Sequence, residues 1–155
     1  MASTPSRSAP LVGWRLLALA YDFFPALALW MLAASAFTVG YTLAGHLPRQ
    51  NIAPFSPLQL LLWLVCWLLT GAYAVASWRR GGRTLGMRPW RLRVVGTDGA
   101  APPVSGLVRR YVVGTVSLLL GGLGFWWAWI DRDRLAWHDR ASATRMVREP
   151  KTPRT

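Results

Sequence analysis

The chain has 155 residues, of which 53% are hydrophobic and 15% charged, a balance too apolar for the surface of an ordinary water-soluble domain. Its 18 basic and 6 acidic residues give a net charge of +12, and every basic residue except Lys151 is an arginine. The arginines flank long apolar runs, which argues against a nucleic-acid-binding face and points to the anionic surface of a membrane.

The first apolar run covers residues 16–43, and Asp22 is its only charged residue. A bilayer core requires roughly 20 helical residues, so the run is long enough to cross. Arg7 and the Ala34-Ser35-Ala36 triplet resemble parts of a cleaved leader. A leader's apolar core has only roughly 7 to 15 residues, however, and this run also carries Asp22 and Pro25, so it is read as a retained helix. A short loop with one basic residue follows at 45–57, marked by His46, Pro48, Arg49, Asn51, Pro54 and Pro57. The second run, 58–78, contains no charge and is the clearest transmembrane helix in the chain.

Residues 79–110 form a basic stretch with eight arginines and a single acid, Asp98. Within it Arg91-Leu92-Arg93-Val94-Val95 alternates and leads into Gly96-Thr97-Asp98-Gly99, which predicts a short, solvent-facing strand or hairpin at the membrane surface. A pairing of 92–95 with 144–147 would complete that unit. The third apolar run, 111–130, is uncharged but interrupted by Gly121-Gly122-Leu123-Gly124. Of the ten tryptophans, Trp63, Trp67, Trp78, Trp90, Trp126, Trp127, Trp129 and Trp137 cluster as rings near the two bilayer interfaces do.

Arginine excess marks the cytoplasmic side, so the amino-terminal segment and the 79–110 stretch are expected inside and the Arg49 loop outside. A single crossing by 111–130 would then put seven basic residues of the tail outside. A re-entrant hairpin that turns at the glycines and extends back through Val104 removes the conflict and is favoured, whereas twenty residues are too few for two full crossings. The expected fold is therefore an all-α integral membrane protein: two transmembrane helices plus a third apolar element, as a single crossing or a re-entrant hairpin, with a small cytoplasmic β-hairpin-like surface unit. Residues 12–147 form the membrane domain, between flexible tails at 1–11 and 148–155. The setting is a bacterial inner membrane, multi-pass, with the amino terminus cytoplasmic.

Arg15 and Asp22 are seven residues apart, which on a helix puts them on one stripe separated by roughly 10 Å of rise. Arg15 reads as an interfacial anchor that snorkels to the headgroups. A carboxylate at depth costs on the order of 2.5 to 3.5 kcal/mol unless paired, protonated or hydrated, so Asp22 is either a structural pair or a proton or cation site. Together "WRLLALAYD", "GGRTLGMRPWRLRVV" after the second helix, and "WHDRASATRMV" in the tail resemble the RDD family of small membrane proteins, named for one Arg and two Asp. The resemblance spans roughly residues 12–147 and assigns the family motif to Arg15, Asp22 and Asp139. It implies transport of an unidentified ligand, with cation/proton exchange among the activities. Family loops commonly read Gly-x-Thr-x-Gly-Lys; here Gly82, Thr84 and Gly86 are followed by Met87, and the positive charge comes from Arg88.

Thr84 lacks Walker spacing and reads as part of a tight turn. Asp139 beside His138 is read as a hydrogen-bonded pair that holds the tail on the arginine-rich loop, in preference to half of a proton relay. His46 and His138 lack ligand spacing, so no metal is expected, and Cys66 reads as a small packing residue. No nucleophile motif surrounds the serines; no cofactor and no enzymatic activity are expected. Two hypotheses compete. In the first, Asp22 carries a proton or cation in a transporter. In the second, a non-transporting assembly or binding module docks anionic lipid headgroups or a partner membrane protein. The expected partners are the lipid bilayer and its anionic headgroups, with a homo-oligomer or a membrane partner beside them, and no nucleic acid.

Overall fold

Two long apolar helices dominate the computed structural model, which describes residues 11–45 and 52–150. Helix α1, Val12–Leu43, runs through Pro25 without a break. Its later hydroxyls, Thr38 and Thr42, bond back to the carbonyls of Ala34 and Thr38 and so need no outside partner. Helix α2, Pro57–Gly81, begins with Ser56 accepting from the Gln59 amide and proline at the first position, and stops at Gly82 in the left-handed region (φ 69°). Both helices pass the length and hydropathy tests for a membrane span. The expected loop residues His46, Pro48, Arg49 and Asn51 lie outside the described residues, as does nearly all of the expected 1–11 tail.

The third apolar run is two helices, α3 (Val104–Leu119) and α4 (Leu123–Ile130), meeting at a bend of 98°. Gly121 and Gly122 make the corner with φ of 68° and 80°, a conformation that only glycine enters readily. Gly124 lets α4 close onto α3, because a Cβ there would stand 2.5 Å from the Ser117 hydroxyl. Helix α3 starts at Val104, where the hairpin reading extends the element.

Strand β1, Leu92–Gly96, pairs antiparallel with β2, Thr144–Arg148, from Leu92 opposite Arg148 to Gly96 opposite Thr144. The pairing joins the segments expected, and β2 claims Arg148 from the expected tail. Two details differ from the sequence reading. The Gly96–Gly99 turn is present, with the Asp98 carboxylate accepting from the Ala100 amide, but it leads into α3 and not into a local hairpin. The strand is also not solvent-facing on both sides: Leu92 is 0% and Val94 2% exposed, packed with Ala18, Met87 and Leu107. A two-stranded sheet has too little of its own apolar surface to be stable, so it buries one face against the helices.

Between α4 and β2 lies α5, Trp137–Ala141, a five-residue helix that the sequence reading did not anticipate. It packs along α3, and Ala136 joins Val12 and Ala128 in a second small core. Arg148 on β2 sits over the Trp14 ring at 4.1 Å, and Trp14 in turn meets Trp90 at 5.1 Å. Both cores therefore gather at one end of the molecule, where the start of α1, the end of α2, the start of α3, α4, α5 and the sheet converge; this end is called the cap. Away from it, apolar side chains face outward, Leu32 at 69% and Leu43 at 82% exposed. Outside the cap, polar contacts join α1 to α2, from Trp30 to the Thr70 hydroxyl, and α2 to α3, from Trp67 to the Thr115 hydroxyl.

Candidate functional site

The three motif positions are brought into the cap, at two separate carboxylates. Asp139 sits on α5 at 0% exposure and is reached from two helices at once. Arg15, in the first turn of α1, places a guanidinium nitrogen 2.5 Å from Asp139 Oδ2. Arg110, in the second turn of α3, pairs with Oδ1 and donates to the Thr144 hydroxyl at 2.9 Å. The Ala136 amide adds a bond to Oδ2 at 3.2 Å. Ser142 links the Thr144 hydroxyl to the His138 carbonyl. Both guanidiniums are buried, Arg15 at 4% and Arg110 at 3% exposure. Arg15 is thus no snorkelling anchor: the cap closes over it, and its charge is met by Asp139 from the far end of the chain.

The electrostatics of this cluster follow from two cations around one anion. Burial alone would keep the Asp139 carboxyl protonated, but Arg110 and Arg15 outweigh it and hold the group well below the usual carboxylate range. His138 is pushed down to about 3, by burial first and by Arg110 second, so it stays neutral. Its Nε2 lies 3.8 Å from Asp139 Oδ1, too far for a hydrogen bond, and its ring packs on Phe125 at 4.7 Å between centroids. A neutral histidine leaves the cluster with one net positive charge, so the His138–Asp139 pair expected from the sequence is replaced by Arg–Asp–Arg.

Asp22 stands one storey further along α1 and is half-buried. Tyr73 on α2 donates its hydroxyl to Oδ1 at 2.8 Å, Thr84 donates to Oδ2, and the Gly86 amide donates to Oδ1 at 2.9 Å. The Tyr73 oxygen also accepts from the Leu85 amide at 3.0 Å, so the segment after Gly82 is pinned to both long helices. Glycine at 86 is required by contact: a Cβ would run into the Ala18 carbonyl and come within 2.6 Å of the Asp22 amide. Gly82 supplies the left-handed exit from α2, and its carbonyl accepts from the Val94 amide at 2.7 Å.

Arg15 and Asp22 share a stripe, as their spacing predicts, yet they turn to different partners. Thr84 does more than shape a turn, since its hydroxyl reaches the carboxylate. Arg88 is exposed, while Met87, at 3% exposure, fills the core beneath the loop. A lysine at position 87 would have to bury its charge there. Sequence reasoning missed Tyr73, Arg110, Ser142 and Thr144. The signal for Arg110 was the last arginine ahead of the uncharged run 111–130, a position that needs a counter-charge; Tyr73 carried no signal beyond being a polar tip in an apolar run.

Among the described residues, no group of three or more His, Cys, Asp or Glu is placed to hold a metal ion. The model of the RDD family matches residues 9–143. No curated protein and no solved structure matches the chain.

Proposed function

The chain belongs to the RDD family, and on that footing we propose that it is a non-catalytic, membrane-embedded binding module in which apolar helices anchor a cap whose arginine-rich face docks anionic lipid headgroups. The observation that carries this reading is where the motif charges go. Arg15 and Asp139 are engaged with each other inside the cap, and both oxygens of Asp22 are taken by Tyr73, Thr84 and Gly86. All three motif residues fasten the cap to the helices.

Helix length supports the same reading. The 32 residues of α1 extend roughly 48 Å, against roughly 30 Å of hydrocarbon. Val12, Arg15 and Ala18 are packed in the cap, so the surplus belongs to the amino end and Asp22 lies near the inner boundary of the bilayer. A carboxylate there avoids most of the midplane cost. The arginine excess supports a cytoplasmic position for the cap. A dip and return of the third apolar element is supported by the pairing of β2 with β1 and by the reach of Asp139 to Arg15. In a Cys66→Ala background, cysteines at 101 and 132 should react with an impermeant thiol reagent from the same face; reaction from opposite faces means a crossing.

A second reading, cation or proton exchange through Asp22, draws on the partial exposure of that carboxylate and on two hydroxyls able to reorient around it. Proteoliposomes under sodium, potassium or pH gradients decide between the two. The module predicts no flux above protein-free vesicles. Flux that Asp22→Asn abolishes in a folded protein establishes exchange instead.

A further inference from the structure

Outside the two carboxylate clusters, the described residues form a pocket of about 530 Å³ where the last turns of α2 pass the start of α3. Its wall is apolar, made by Ala72, Val75, Ala76 and Val104, and its rim carries Arg79 and Arg80. We propose that this pocket is a specific site for one anionic phospholipid, with the headgroup phosphate held by Arg79 and Arg80 and an acyl chain lying along the alanine groove. The proposal rests on the reading of the protein as a membrane-embedded module, and it goes further by assigning the lipid to one place.

Charge complementarity is the first argument. Five described arginines are paired with acids: Arg83 and Arg93 share Glu149, Arg140 meets Asp131 and Asp133, and Arg15 and Arg110 hold Asp139. Arg79 and Arg80 are exposed and form no ion pair with a described residue, and no acid lines the pocket. Two adjacent guanidiniums without a counter-ion suit a phosphate, which they can grip through paired N–H donors. The amino end of α3 opens beside Val104 with no side-chain cap and adds to the same positive field.

The shape of the pocket selects among anions. A free phosphate or an acidic peptide would meet the two arginines but leave the apolar wall facing water. Alanines at 72 and 76, one helical turn apart, leave a channel running from the arginines toward the apolar part of α2, the direction an acyl chain takes from its headgroup. Basic pockets between helices at the inner surface are where anionic headgroups are recognised.

The test uses the full chain, delipidated in detergent and presented with phosphatidylglycerol or phosphatidylcholine, with retained lipid counted by native mass spectrometry. Wild type should retain phosphatidylglycerol over phosphatidylcholine. Arg79→Gln with Arg80→Gln should weaken retention on the order of 30-fold, whereas Arg132→Gln with Arg134→Gln, equal in charge change, should leave it unaltered. Ala76→Phe, which fills the groove and keeps both arginines, should also lose the lipid. Equal retention by the two double variants, or wild-type retention by Ala76→Phe, overturns the site while leaving a general preference for anionic surfaces intact. Failure of the wild type to prefer phosphatidylglycerol overturns that broader reading as well.

Discussion

Asp139 and Asp22 are both carboxylates taken largely out of water, and the cap satisfies them by opposite means. Around Asp139 the partners are ionic: two guanidiniums, fully buried, with more positive than negative charge in the cluster. Around Asp22 they are neutral: two hydroxyls and one amide, at a half-buried position beside the outward-facing apolar part of α1. The first arrangement depends on charge. Without the carboxylate, two cations are stranded in a low-dielectric interior, whereas a cap relieved of one arginine would still hold a balanced pair. The second depends on shape, since donors from three places must converge on one group, and much of that geometry survives a change of charge.

The contrast predicts a ranking. Asp139→Asn should have the largest effect, about 3 to 5 kcal/mol, because it leaves Arg15 and Arg110 uncompensated; the loss is read as disappearance of amide protection in β1 and β2 with the long helices intact. Asp22→Asn should cost about 1 to 2 kcal/mol, the weakening of hydrogen bonds to a formerly charged acceptor, and should loosen the segment after Gly82 without opening the sheet. Equal costs for the two variants would break the comparison. The smallest effect is that of a single step in pH, from 7 to 6. The His138 pKa falls from 6.5 to about 3 on folding, so the unfolded chain binds one more proton between those values and stability declines as pH drops below about 6.5. From pH 7 to pH 6 the loss is about 0.7 kcal/mol, steepening toward 1.4 kcal/mol per pH unit lower down, and His138→Gln should remove it. Asp139, whose pKa is depressed, stabilises the fold fully above its ordinary value near 3.8 and adds a further loss only below that.

Much of the architecture is legible in the sequence because it follows from local chemistry. Uncharged stretches of 20 or more residues, a double glycine inside an apolar run and an alternating five-residue segment each have few structural solutions. Burial of β1 was not legible in the same way: alternation says that one face differs from the other, but whether helices cover that face is decided by Leu107 and by Ala18, the latter far away in the chain. The length of α5 defeats periodicity, since five residues span little more than one turn. For the site, spacing put Arg15 and Asp22 on one stripe but could not reveal that each would look sideways. Arg110 reads as the end of a basic flank until α5 is folded against it, and Tyr73 reads as one more interfacial aromatic.

The pairing of β2 with β1 imposes an order on how this molecule is made. Arg15 leaves the ribosome 124 residues ahead of the acid that will balance it, and Arg110 only 29 ahead. Helices α1 and α2 can be inserted long before Asp139 exists, with an unbalanced arginine waiting at the surface. A nascent chain halted before residue 144 would therefore hold both long helices and yet leave β1 without its partner strand.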